Sequence, residues 1–401
     1  MGAHTGCASS RSNERPRYEV ADIFRTHGPA YRQAHVLSPE QKKVMWAIQN
    51  CRTPVLGGHE HVCLDCGART PAYNACRNRH CPKCQALDQA RWLESRKQRI
   101  LPTPYFHVVF TLPRELRPLA KQHPRPIYDL LFQAASQTLL QLGQDPQRLG
   151  ATIGFTALLH TWSRDLRYHV HLHCIVTAGG LSPDARRWVP SHPSYLFPIP
   201  VISKLFRGKF LHGLQRLHRQ GNIPLSGSDD PAAAFDALRR TLYAKDWVVY
   251  AKPPFKGPKH VFRYLARYTH RVGISNHRIQ ELTPDSVTFS TRGTQTATMT
   301  PTTFIGRLLQ HVLPKRFVKI RHYGLNAATH VHSLLATAMA LLAPPAQAQP
   351  PAPPSSSNNW QDLLLSLTGR NVRVCPICGS QRLARIPLPT PLPRGPPGDP
   401  L

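Results

Sequence analysis

The sequence predicts an α+β protein whose larger domain is built on an antiparallel sheet and is preceded by a small metal-bound module. Three observations carry this reading. Short β-branched and aromatic runs mix with amphipathic helical stretches from about residue 104 onward, an order that favours antiparallel pairing over a parallel repeat. Six of the ten cysteines fall within residues 51–84, a stretch too short to bury a core of its own. Residues 169–173 read His-Val-His-Leu-His at the head of an apolar run, so alternate imidazoles line one face of a strand.

Each element follows from local pattern. Residues 16–50 contain helices, with Val20, Ile23 and Phe24, then Val44, Met45 and Ile48, at helical spacing. Residues 85–100 read as a helix leaving the cysteine-rich module. Tyr105-Phe-His-Val-Val-Phe-Thr-Leu112 is a buried strand closed by Pro113. Residues 124–143 form a helix with Ile127, Leu130, Leu131, Ala134, Leu139 and Leu142 on its apolar positions. Gly154–Trp162 and Tyr168–Thr177 are strands joined by the polar Ser163-Arg-Asp-Leu-Arg167, which fits a hairpin. Helices are expected over 200–220, 231–245 and 259–271, and strands over 247–250 and 286–290. From about Ala343 prolines dominate, and such a stretch reads as an extended linker.

The chain has 401 residues, with 51 Lys and Arg against 21 Asp and Glu, a formal net charge of +30. Basic residues are spread over most of its length, and a surface of that kind attracts polyanions, phosphate backbones first. A membrane partner is not expected: no apolar run reaches the ~18 residues of a span, and no amphipathic basic helix or lipid signal occurs. Met1–Arg15 is polar and lacks a signal core, so a cytoplasmic location and reduced thiols are expected.

In that setting clustered cysteines mean metal. Cys63-Leu-Asp-Cys66 and Cys81-Pro-Lys-Cys84 are two knuckles with fourteen residues between their inner cysteines, a spacing that predicts a closed zinc site. Cys51, His59, Cys76 and His80 are the candidates for a second, interleaved zinc site, with His61 as a spare ligand. Arg77, Arg79 and Lys83 surround the knuckles and are candidate DNA contacts. Cys375 and Cys378 are half a site, either free thiols or partners of ligands from another chain.

The histidine row predicts a second kind of centre, one that takes a divalent ion. His171 and His173 lead into Cys174-Ile-Val176 and are the expected pair. The third ligand is His169 on the same strand or His160 on its hairpin neighbour, with His160 the better enclosure. An open phosphate-facing site would use Mg²⁺ or Mn²⁺. Downstream, Tyr264 and Tyr268 lie one helical turn apart, flanked by Arg263, Arg267 and Arg271. A tyrosinate can attack a phosphodiester and hold the end covalently, and the arginines would stabilise developing charge. No Walker A loop occurs, so no nucleotide cofactor is expected.

At these residues the chain resembles the insertion-sequence-91 family of bacterial transposases, rolling-circle enzymes of the HUH type. The likeness covers most of residues 20–335. It includes Cys63-Leu-Asp-Cys66-Gly, Tyr73-Asn-Ala-Cys-Arg-Asn-Arg-His-Cys-Pro-Lys-Cys84, Tyr105-Phe-His-Val-Val-Phe-Thr-Leu-Pro113, His169-Val-His-Leu-His173, Phe206-Arg-Gly-Lys-Phe210, Tyr264-Leu-Ala-Arg-Tyr-Thr-His-Arg271 and Arg321-His-Tyr-Gly324. The resemblance implies a relaxase- or Rep-like catalytic domain behind a zinc-binding region. It puts the HUH pair on His171 and His173 and the two-tyrosine motif on Tyr264 and Tyr268. It implies single-stranded DNA at element ends as substrate, cut through a 5′-phosphotyrosine. The domain expectation is then a disordered 1–15, a helical and zinc-binding DNA-binding domain over 16–100, a catalytic domain over 101–335, and a proline-rich linker and tail over 336–401. The proline-rich stretch over 343–354 departs from the family pattern. Two other readings compete, a zinc-dependent DNA-binding protein without chemistry and an RNA-processing nuclease. Neither the DNA sequence recognised nor the oligomeric state is readable from the chain.

Overall fold

A computed structural model describes residues 16–97, 99–225, 229–255, 261, 273–343 and 359–389. The first elements among the described residues are α1 (Val20–Ala34) and α2 (Pro39–Asn50). Ser38 caps α2 in a reciprocal box: its hydroxyl accepts from the Gln41 N–H at 3.2 Å, and its own N–H donates to the Gln41 side chain at 3.0 Å. The cysteine-rich module follows, with strands β1 (Gly58–Cys63) and β2 (Arg69–Tyr73) and an exit helix α3 (Ala86–Lys97).

The larger part begins with β3 (Tyr105–Thr111), then the short α4 (Arg117–Gln122) and the long α5 (Pro124–Gln144). The hairpin β4 (Thr152–Trp162) and β5 (Tyr168–Leu181) comes next, with a small β6 (Trp188–Pro190). After α6 (Ile199–Arg219) and α7 (Pro231–Tyr243), β7 (Val249–Phe255) returns to the sheet. The short strands β8 (Ile279–Leu282), β9 (Val287–Ser290) and β10 (Thr296–Met299) precede α8 (Pro301–Leu309). The chain then forms β11 (Ile320–Gly324), α9 (Leu334–Leu342), α10 (Trp360–Thr368) and β12 (Leu383–Leu388). The expected helix over 259–271 lies outside the described residues, Val261 excepted.

The central sheet runs β11-β4-β5-β3-β7, with β6 beside β5, and every pairing is antiparallel. The expected hairpin and the expected α+β class are both present. Alternation decides what each face does. Val170, Leu172, Cys174 and Val176 of β5 and Phe155, Ala157 and Leu159 of β4 point into one apolar core with Phe106, Val108 and Phe110 of β3. Helices α5 and α6 cover that face through Leu131, Phe132, Phe206 and Phe210, all fully buried. Each such side chain contributes roughly 1.5–3 kcal/mol of burial. The histidines occupy the alternate positions and therefore stand on the opposite face.

A second core joins sequence-distant pieces. Val20, Ile23 and Phe24 of α1 and Val44, Met45 and Ile48 of α2 pack with Ile279, Phe289, Phe304 and Ile305. This core thus draws on both sides of residue 100. Hydrogen bonds tie it together: the Val20 N–H donates to Asn276 Oδ1 at 3.2 Å, and Gln41 Nε2 donates to the Leu309 carbonyl at 3.2 Å.

Leu166, at the tip of the β4–β5 hairpin, is fully buried in the same core. Its φ of 63° is a conformation that costs a non-glycine residue roughly 1–2 kcal/mol, of the size its burial returns. Gln310 Nε2 and His311 Nε2 both donate to its carbonyl, at 2.9 and 3.1 Å. The hairpin that bears the histidines is therefore anchored at its tip.

The sequence does not predict β11, β12 or the pairing of β12 with β1. Arg321, His322 and Arg385 interrupt any apolar alternation, and all three strands of the order β12-β1-β2 are poorly buried.

Candidate metal centres

Among the described residues three groups could hold an ion: His160, His171 and His173; Cys51, Cys76, Cys81 and Cys84; and Cys63, Cys66, Cys375 and Cys378. Within each, the ligand atoms lie within 4.8 Å of one another.

The histidine group follows from register. His160 on β4 is paired directly with His171 on β5, and alternation carries His173 to the same face two residues on. Ring centroids are 5.4 Å apart for His160 and His171, 4.5 Å for His160 and His173, and 4.7 Å for His171 and His173. His169 sits beside His171, with centroids 4.8 Å apart, but is not in the group. Of the two candidates for a third ligand, the structure brings His160 to the pair.

Hydrogen bonds leave particular nitrogens facing the ion position. His171 Nδ1 lies 2.9 Å from the His169 carbonyl. A carbonyl only accepts, so Nδ1 carries the proton and Nε2 keeps its lone pair. His173 Nδ1 lies 2.8 Å from Nε2 of His107, whose ring stacks on it with centroids 5.0 Å apart. A partner on Nδ1 again reserves Nε2. Burial holds His171 neutral, pushed down to about 4, although its bond to the His169 carbonyl pulls the other way. His173 is held well below the usual range, by desolvation first and by the neighbouring imidazoles second. Neutral imidazole is the form that binds metal.

Sequence reading missed His107. The signal was available: a histidine in the middle of an apolar, buried strand has to find a polar partner. It also missed a cavity on the same sheet face, lined by Trp92, Arg96, Arg99, Tyr105 and His322 among others. The Arg96 guanidinium lies 5.5 Å from the Trp92 ring centroid, a cation–π arrangement. His322 Nδ1 is 2.9 Å from the Thr156 hydroxyl, and burial, then Arg96 and Arg99, push this histidine down to about 4.

The cysteines group differently from the spacing-based expectation. Cys81 and Cys84 stand with Cys51 and Cys76, not with Cys63 and Cys66. The reason lies in the path of β1 and β2. This hairpin carries Cys63 and Cys66 away at its tip, while its base returns Cys76 to the end of α2, where Cys51 caps the helix. The Arg52 N–H bonds the Asn74 carbonyl at 3.1 Å and closes that base. The set is enclosed: Cys51 and Cys81 are fully buried, and backbone N–H groups of Asn78 and Lys83 donate to Cys76 Sγ at 3.5 Å and Cys81 Sγ at 3.4 Å. Four thiolates so close repel one another, and a soft dication relieves that repulsion, so the donor set fits zinc.

His59 and His80 stand apart from this group. His59 Nε2 is 2.9 Å from His61 Nε2 on the same face of β1. His80 Nε2 accepts from the Leu313 N–H at 3.4 Å, and burial pushes it down to about 3. Among the expected DNA contacts, Arg79 donates to the carbonyls of Pro314 and Phe317 and docks the module on that loop. Lys83 pairs with Glu19 at 2.7 Å. Arg77 is exposed with a φ of 54°. Arg263, Arg267, Arg271, Tyr264 and Tyr268 lie outside the described residues.

Comparisons with known proteins identify two matched stretches. Residues 23–112 match the model of a transposase zinc-binding domain, and residues 154–333 match a family described as "Putative transposase". The chain is 44% identical over 380 residues to a protein named "Putative transposase y4qJ" from Sinorhizobium fredii, covering 92% of this chain and 94% of that one. It is 26% identical over 298 residues to the transposase for insertion sequence element IS801 of Pseudomonas savastanoi pv. phaseolicola, covering 69% of this chain and 68% of that one. No solved structure matches.

Proposed function

The chain belongs to the insertion-sequence-91 family of transposases, and from that premise we propose that it nicks and rejoins single-stranded DNA at element ends through a phosphotyrosine. The observation that carries this reading is the convergence of three imidazoles, those of His171 and His173 held neutral by burial, on the sheet face opposite the main core. A bound divalent ion there would polarise the scissile phosphate and offset charge on its oxygens. None of the three ligands is a carboxylate, so Mn²⁺ suits the site better than Mg²⁺.

The nucleophiles are Tyr264 and Tyr268. What supports them is Val261, three residues earlier in the sequence, which is buried in one apolar cluster with Tyr105 and Ile175. Ile175 follows His173 by two residues on the same strand face, so the segment leading to the tyrosines starts beside the histidines.

The phenol loses its proton to solvent and its oxygen attacks phosphorus. The bond from phosphorus to the 3′ oxygen breaks, and that oxygen takes up a proton. Attack by a 3′-hydroxyl on the phosphotyrosine reverses the step, so no nucleotide hydrolysis is needed. The cavity with Trp92, Arg96 and Arg99 offers a ring for a base and guanidiniums for a phosphate. The net charge of +30 supports strand capture along the surface.

The test is incubation of a single-stranded element end, labelled at its 3′ terminus, with Mn²⁺. The label should migrate with the protein, and the double substitution Tyr264→Phe and Tyr268→Phe should remove it entirely. Adducts that persist in the double variant sink the assignment. An RNA oligonucleotide captured as well as DNA would redirect it to RNA processing, and binding without cleavage under every metal would favour a non-catalytic zinc-dependent DNA-binding protein.

A further inference from the structure

We propose that Cys63, Cys66, Cys375 and Cys378 hold a zinc ion of their own, so that the two ends of the chain are clasped into one ribbon. The residues come from opposite ends of the sequence, 315 positions apart for Cys63 and Cys378, yet their sulfurs are 3.5 Å apart. Cys66 and Cys375 are 3.7 Å apart.

The two contributing turns are built alike. Cys63-Leu-Asp-Cys66-Gly67 and Cys375-Pro-Ile-Cys378-Gly379 share a sequence pattern, and their backbones share a hydrogen-bond pattern. The Gly67 N–H donates to the Cys63 carbonyl and the Gly379 N–H to the Cys375 carbonyl, both at 3.0 Å. The Cys63 N–H donates to Ala68 at 2.9 Å, and the Cys375 N–H to Ser380 at 2.7 Å. Both glycines take positive φ, 71° and 74°, which lets each turn fold back and present two sulfurs from one side. Two such knuckles facing each other make a tetrahedral four-thiolate site.

The pairing of the two ends continues beyond the sulfurs. β12 lies antiparallel to β1 from Gly58 opposite Leu388 to Cys63 opposite Leu383, and the Leu64 N–H reaches the Arg382 carbonyl at 2.9 Å. Asp65, between the two cysteines of the first knuckle, accepts from Arg382 Nη1 at 2.7 Å and from the Ser380 hydroxyl. The second knuckle thus supplies specific partners to the first.

What the ribbon lacks is a core. Ile377 and Leu64, the apolar residues inside the knuckles, are 76% and 59% exposed. A three-stranded sheet with so little apolar burial does not hold by hydrophobic contact, and an ion bound by four thiolates supplies the missing stabilisation. The other grouping of these cysteines is closed off, because Cys81 and Cys84 already stand with Cys51 and Cys76. One consequence is that the matched zinc-binding stretch, residues 23–112, contains only half of this site.

The test uses the full chain under reducing conditions. Zinc per chain is counted by native mass spectrometry for the wild type and for Cys375→Ser with Cys378→Ser. The double variant should lose one zinc, and Cys378→His, which keeps a ligand, should restore it. Equal zinc content in wild type and double variant overturns the proposal. So does a wild type whose four thiols are found as disulfides.

A second measurement leaves every cysteine in place. A protease site is inserted within residues 344–358 and cut. The fragment carrying Cys375 and Cys378 should co-elute with the rest of the chain in zinc and separate on chelation. Separation in saturating zinc overturns the clasp, as does co-elution that chelator does not disturb.

Discussion

The two centres built within the matched domains solve opposite problems. Cys51, Cys76, Cys81 and Cys84 surround one point from all sides, inside a core, with backbone amides on their sulfurs. His160, His171 and His173 approach one another from a single sheet face, and burial holds His171 and His173 neutral. An ion in the first set would be fully ligated by four thiolates, whereas three imidazoles would leave positions for a substrate oxygen. Ligand softness and number would then separate an ion that holds shape from the one to which the proposed function gives the chemistry.

The contrast is broken most sharply by exchanging the consequences. His171→Ala should lower metal-dependent cleavage by at least about 10³-fold while melting temperature and cysteine-bound zinc stay near the wild type. A large loss of stability in that variant would mean that the histidine face is structural too.

Cys81→Ser should do the reverse. It should lower the melting temperature by about 10 °C or more, and reduce cleavage only as far as the fold is lost. Full cleavage with unchanged melting would show that the thiolate group holds nothing together.

His107→Ala sharpens the picture within the histidine face. It removes the partner on His173 Nδ1 without touching a ligand. The Mn²⁺ concentration for half-maximal cleavage should rise by about 10–100-fold, and His107→Gln, which keeps a hydrogen-bonding group, should recover part of it. A lowered maximal rate at unchanged metal requirement would contradict a positioning role.

The smallest effect concerns acid. His311 accepts from the Thr161 hydroxyl at 3.2 Å and donates to Leu166, and burial pushes it down to about 4. The fold therefore holds the neutral ring, whereas the unfolded chain takes up a proton below about 6.5. Its contribution is fully present above that value and fades as pH falls towards 4, by about 3 kcal/mol at most. Chemical denaturation across that window should show a shallower acid loss for His311→Gln than for the wild type. Parallel slopes would remove His311 from the account.

How much of this was legible beforehand depends on sequence distance. The β4–β5 hairpin was readable because its two strands are adjacent and its turn is polar. Their register then set His160 opposite His171, which a preference for an enclosing neighbour strand anticipated. The cysteine partition was not readable. Spacing pairs the knuckles nearest in sequence, whereas the backbone carries Cys63 and Cys66 to the far tip of a hairpin and meets a strand from the other end of the chain. His107 was hidden for another reason: strand alternation gives a face, but which histidine touches which depends on the pairing of β3 with β5. Arg79 shows the limit of charge counting, since its guanidinium satisfies the backbone carbonyls of Pro314 and Phe317.

The buried tip of the histidine hairpin has one more implication. Leu166 plugs into the very cluster that contains Cys51, Cys81 and Cys84. With zinc in those cysteines, the socket that receives the plug is firm; stripped of it, the beam carrying His160 and His171 loses one of its supports. Loss of an ion from the cysteines would thus be felt at imidazoles that are not among its ligands.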